Sequence, residues 1–198
     1  MAAAWAQDAR LEVTLPPKET WTTDAPTVRT IGVVTAGHTA ELIRNGFPAR
    51  LHYKIERWSA GSFVNDVKAR TEWEVIVEYD ALNKKYRVIR ATPAKAVLLG
   101  EYDSVATAEA KVAEPYKPRI SAPPKGDKAY YSVTLTVEAM SLSDLDEVRR
   151  WLRGELRPAM RGQRNPGTAM SSGLRTLFVR ILGGERLQYQ QTTGTFRP

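Results

Sequence analysis

The side chains able to do chemistry are few, and their spacing argues against catalysis. There are two histidines, His38 and His52, and no cysteine. Without cysteine there are no disulfides, zinc–thiolate sites, iron–sulfur clusters or thiol nucleophiles. His52 alternates with Leu51 and Tyr53, which places it on the polar side of a strand, and His38 stands at the start of a short helical stretch. Neither has further ligands at metal-site spacing. A Ser-His-acid triad would have to use one of them, and no Gly-x-Ser-x-Gly elbow supports it. Both histidines read as exposed or capping residues.

Glu72, Glu74 and Glu78 lie on one face of a strand. Paired acids do glycosidase chemistry across a cleft. Their alternation with Trp73, Val75 and Val77 makes them instead the solvated face of a sheet. Asp144, Asp146 and Glu147 lack the spacing and glycine of a calcium loop and read as the first turn of a helix. Gly183-Gly184 follows a helical pattern, where a phosphate cradle would precede one. The expectation is a non-catalytic chain with no cofactor and no metal.

The charge is more informative. The 198 residues carry a formal net charge of +7. Residues 149–198 hold ten arginines, no lysine and two acids, a net of +8 against −1 for everything before. Guanidinium is a planar fork of donors suited to carboxylates, phosphates and aromatic faces. Arg149, Arg150, Trp151, Arg153, Arg157, Arg161 and Arg164 are the expected partner-binding residues. The amphipathic indole of Trp151, set among guanidinium groups, suits a protein interface or a lipid headgroup layer; a core Trp that seals its helix is the other reading. Nucleic acid is the rival partner on charge alone, but no helix-turn-helix, zinc finger or aromatic RNP-like motif accompanies the arginines.

The elements that must position these groups are mostly strands. Leu11, Val13 and Leu15 alternate with polar residues until Pro16-Pro17, and Val28 to Val34 is a second apolar stretch. Thr39 to Asn45 reads as a helix capped by Thr39 and ended by Gly46. Leu51, Tyr53 and Ile55 form a half-buried strand, and residues 72–90 a hairpin turning at Asp80-Ala81-Leu82-Asn83, with only Ile76 breaking the polar face. Trp73, Tyr79, Tyr86 and Tyr131 are expected in the core. Ala94 to Glu101 adds a strand. Ser104 caps a helix through Val112, and Pro115 to Lys128, with four prolines, is an extended connector. Tyr131, Val133, Leu135 and Val137 make the cleanest strand. Ser143-Asp144-Leu145-Asp146 then signals a helix capped by Ser143, with Leu145, Val148, Leu152 and Leu156 as its stripe. A loop from Pro158 to Met170 precedes a second helical pattern, Leu174 to Leu182, and a short strand from Arg186 to Gln190.

Several of these segments carry a resemblance. Gly46-Phe47-Pro48, Tyr53-Lys54-Ile55-Glu56-Arg57-Trp58, Trp73-Glu74-Val75, Tyr79-Asp80-Ala81-Leu82 and Tyr86-Arg87-Val88 resemble an uncharacterised bacterial extracytoplasmic family, catalogued as domain of unknown function 4390. The similarity spans about residues 10–157, and these are structural motifs. It implies an exported protein with a β-sandwich-like body and assigns no catalytic residue. The Arg-rich helix and long tail depart from many relatives. A second resemblance, to an extrinsic subunit of a bacterial photosynthetic reaction-centre–light-harvesting complex, rests on no motif and implies a membrane protein complex as partner.

The sequence therefore predicts a mainly β chain: a signal-like or extended segment over residues 1–9, an antiparallel β-sandwich-like body with two or three short helices over 10–140, and an Arg-rich helical arm with an extended tail over 141–198. Ala4-Trp5-Ala6 is a small-x-small pattern like the end of a secretory signal, so export and trimming after Ala6 are expected. No apolar run approaches the roughly 18 residues that span a bilayer. The expected function is a non-catalytic, periplasmic, membrane-peripheral accessory or structural subunit docked on a membrane protein complex or anionic membrane surface. The alternative is a soluble periplasmic ligand-binding module.

Overall fold

The computed structural model describes residues 9–61, 65–154 and 186–198. Its chain order is β1 (Arg10–Thr14), β2 (Thr27–Ile31), α1 (Gly37–Arg44), β3 (Ala49–Ala60), β4 (Asn65–Asp80), β5 (Lys85–Ala91), β6 (Ala96–Tyr102), α2 (Val105–Val112), β7 (Ala129–Ala139), α3 (Leu142–Leu152) and β8 (Leu187–Thr192). The last six strands of the chain, β3 to β8, make one antiparallel sheet in the order β6-β5-β4-β3-β7-β8, and β1 pairs with β2 in a separate ribbon. Among the described residues the fold is mainly β with three α-helices, and its two sheets give it a sandwich-like arrangement.

Alternation builds the layers. On β3, Leu51, Tyr53 and Ile55 point to one side; β4 adds Trp73, Val75 and Val77, and β7 adds Tyr131, Val133, Leu135 and Val137. All are buried, and with Leu11, Val28, Ala108 and Val112 they form one core beneath the β1–β2 ribbon and α2. We call this the inner face. Tyr53 stacks on Trp73 at 4.8 Å between ring centroids, and its hydroxyl reaches Thr30 at 3.0 Å on β2. Pro16-Pro17 ends β1, and the chain turns through Lys18–Thr20 to Trp21, whose indole donates to the Pro16 carbonyl. The proline-rich connector stays extended, bridging to β2 through Tyr116 and Val28.

The C-terminal end belongs to this body. β8 pairs with β7, and Phe196 is buried between Trp21 and Tyr131, at centroid distances of 5.0 and 5.7 Å. The body thus takes in residues on both sides of the arginine-rich segment.

Two helix starts differ from the sequence reading. Thr39 does not cap α1: the cap position is Ala36, and Thr39 is buried in the helix. The cap of α3 is Ser141, which accepts from the Asp144 amide, while Ser143 lies inside the first turn. α1 therefore starts without a side-chain cap, and in α3 the capping hydroxyl lies two residues before the expected one. Ser104 does cap α2, through a reciprocal box with Thr107. Tyr79, expected in the core, sits half-exposed at the sheet end against Tyr86. At the same end of the β5–β6 pair, Gly100, opposite Val88, has φ +155, a backbone conformation that favours glycine, and a Cβ there would meet the Tyr102 hydroxyl at 2.5 Å.

Glu109 on α2 holds the turn after β2. Its carboxylate accepts from the backbone amides of Gly32, Val34 and Thr35 at 2.9, 2.6 and 3.2 Å. Hydrogen bonds to an ionised acceptor are the strong ones. Glu109→Ala should lower the unfolding free energy by about 2–3 kcal/mol in urea titrations, because two buried amides and one part-buried amide lose their acceptor. An unchanged midpoint would remove this contact from the supports of the fold.

Burial also sets a pH limit. It raises the phenol pKa of Tyr53, and it pushes Tyr131 up to about 12. A phenol raised in the folded state keeps its proton after the unfolded chain, with a pKa of about 10, has lost it. Stability is therefore full below about pH 10 and declines as pH rises through the folded values. Tyr131→Phe should lessen that decline by about 1–2 kcal/mol in chemical denaturation series taken up to pH 12.

A charged and aromatic face as candidate functional site

The opposite, outer face of the six-stranded sheet carries the polar half of each alternation. The register aligns these side chains in rows across the strands. In the first rows Glu78 meets Arg87, and Glu138 meets Arg50 and Arg186. Next come His52 with Glu74 and Glu72, then Lys54 and Arg70 around Glu56. The far rows hold Ser132 and Thr134 of β7 beside Thr192 and Gln190 of β8, and end on Trp58 and Tyr130, stacked 6.1 Å apart with ring planes 7° from parallel.

α3 divides this face. Leu145 and Val148 press onto Ile76, Ile89, Ala91 and Met140, forming a second small core. That overturns the reading of Glu74 and Glu78 as a solvated surface, since Glu74 is 5% and Glu78 2% exposed, while Glu72 keeps part of its surface open. Ile76, which interrupts the polar alternation, is the residue α3 seeks. The signal was present in its pairing with Ile89 and in the stripe of α3.

Beneath the helix, Glu78 accepts from Arg87 Nη1 at 3.0 Å and from Arg149 Nη2 at 2.9 Å. Arg149 also reaches Asp146 at 3.4 Å. It is thus turned onto the sheet, tying helix to strand, which corrects its expected availability to a partner. Trp151 is half-buried against the same small core, so it seals the helix. Arg150 and Arg153 are exposed. Arg157, Arg161 and Arg164 lie outside the described residues, as do the Leu174–Leu182 pattern and Ala4-Trp5-Ala6.

Burial lowers the pKa of Arg50, opposed by the charges of Glu74 and Asp144. For Glu56 burial pushes the pKa up, but hydrogen bonds from Arg70 and Lys54 outweigh it and hold the carboxyl below its usual range. The buried acids of this face are therefore engaged as ion pairs. Among the described residues no group of three His, Asp or Glu side chains is placed to hold a metal ion. What the face offers is contact: Lys54, Glu56, Trp58, Tyr130, Ser132, Thr134, Gln188, Gln190 and Thr192 line an open groove of about 510 Å³. None of these was a candidate site residue in the sequence; strand register gathers them.

No family model, curated protein or solved structure matches this chain. Among the described residues no helix is long and apolar enough to cross a membrane.

The pairing makes a prediction that separates neighbouring arginines. Arg149→Ala should cost about 1–2 kcal/mol, less than a fully buried pair because Arg149 is half-exposed and Glu78 keeps Arg87. Arg150→Ala should leave the thermal midpoint unchanged. Equal midpoints for both variants would break the assignment of Arg149 to the helix–sheet contact.

Proposed function

We propose that the chain is a non-catalytic accessory subunit, working outside the cytoplasm and docking on a membrane protein complex. The observation that carries this reading is the open part of the outer face: a rigid sheet surface with paired charges, hydroxyls and amides and a stacked Trp58–Tyr130 pair. Polar rims around aromatic anchors are the composition of protein-contact surfaces. The signal-like Ala4-Trp5-Ala6 supports export. On the same side of the sheet, α3 exposes Arg150 and Arg153 and leads into the segment with Arg157, Arg161 and Arg164. Single exposed arginines contribute about 0–1 kcal/mol. Acting together against an acidic rim or anionic headgroups, they fix orientation and raise the association rate.

The groove itself supports a second reading, a soluble module for an extended polar ligand laid across the aromatic pair. The two readings part in one experiment: gentle detergent extraction of native membranes and capture of the tagged chain. Docking predicts a stoichiometric membrane protein in the eluate. Combined Arg150→Glu, Arg153→Glu and Arg157→Glu should weaken that association and flatten its salt dependence while thermal stability holds. Trp58→Ala with Gln190→Ala should weaken it independently of salt. If both variants capture the partner as the parent chain does, at equal stability, docking through this side is wrong.

A further inference from the structure

After Ala49, the inward positions of β3 run Leu51, Tyr53, Ile55 and Arg57. The pleat demands a core residue at the fourth position, and the sequence supplies a cation. Arg57 is 8% exposed. Burying a charge is costly unless it is paired, and the other deeply buried guanidinium, Arg50, has Glu138. Among the described residues Arg57 has no carboxylate within 4.0 Å; its Nη2 donates to Ser121 Oγ at 3.5 Å, and its Nε has no hydrogen-bond partner. Directly opposite on β7 stands Tyr131, 1% exposed, whose hydroxyl also has no hydrogen-bond partner among the described residues. Residues in such a register pair have Cβ atoms roughly 4.5–5.5 Å apart. Ser121, on the proline-rich connector, is itself exposed and marks the side from which the guanidinium can be approached.

Donors from β3, β7 and the connector thus gather without an acceptor of matching charge. We propose that Arg57, Tyr131 and Ser121 form a binding site for a small carboxylate anion. The planar guanidinium fork matches the two oxygens of a carboxylate, and the Tyr131 hydroxyl donates a further hydrogen bond. The site lies on the inner face, behind the Trp58–Tyr130 pair, and is independent of the docking surface.

The test uses sodium formate and sodium acetate as probes on the full chain, with sodium chloride holding ionic strength constant. A ligand that binds the native state alone raises its thermal midpoint in a saturable way. Formate and acetate should do so for the parent chain, and the Arg57 Nε–H resonance should shift along the same titration curve. Arg57→Gln should abolish the midpoint response. Tyr131→Phe should weaken the affinity about tenfold, the loss of one hydrogen bond to a charged acceptor. A response no larger than that to chloride, an equal response in Arg57→Gln, or an Arg57 resonance that stays fixed would each overturn the proposal. A response to sodium phosphate matching that to formate would overturn the assignment to carboxylates.

Discussion

β3 is hydrogen-bonded along its length to β4 on one side and β7 on the other, so its side chains have two destinations. One set enters the layer beneath the β1–β2 ribbon and α2. The other faces outward, where α3 covers part of it. Each neighbouring strand must match that pleat, because a slip of one residue would exchange the two faces throughout. The twelve residues of β3, from Ala49 to Ala60, therefore set the phase for the rest of the sheet.

The charged rows on the outer face strengthen this choice. Buried ion pairs contribute little net stability, since desolvation offsets attraction. A misregistered alternative, however, would leave Glu78, Glu138 or Arg50 buried without its partner, a far larger penalty. The rows thus act as a check on register. They also explain how a helix settles on a surface that is mostly charged: Ile76 and Ile89 give Leu145 and Val148 something to cover, and Arg149 neutralises the carboxylate the helix would otherwise trap.

Much of this was legible locally. The strand with Tyr131, Val133, Leu135 and Val137, the hairpin around Asp80 to Asn83, and the Ser104 cap all follow from spacing within a few residues. The coverage of the outer face was not, because a half-solvated and a fully covered strand show the same alternation until something docks. Ile76 was the one irregularity, and it gains meaning only beside Ile89 and α3. Arg149 could have been separated from Arg150 by helical phase, since it lies four residues after Leu145 on the inward side. The groove residues on β7 and β8 have no local signature at all; pairing alone gathers them. Arg57 was visible as an arginine at an inward position, but nothing nearby showed whether an acid would meet it.

The place of Phe196 has a consequence for how the molecule is made. Thr193 bonds to Tyr131 across 62 residues of chain, and Phe196 lies between Tyr131 and Trp21, near the other end of the sequence. During synthesis the earlier strands emerge first, and β7 waits as an unprotected edge until β8 leaves the ribosome. Such edges invite pairing with other chains. The growing chain thus passes through a vulnerable interval whose length is set by translation of the arginine-rich segment. Slower elongation there would prolong exposure of that edge, and a chaperone acting on this protein would be most needed in that interval.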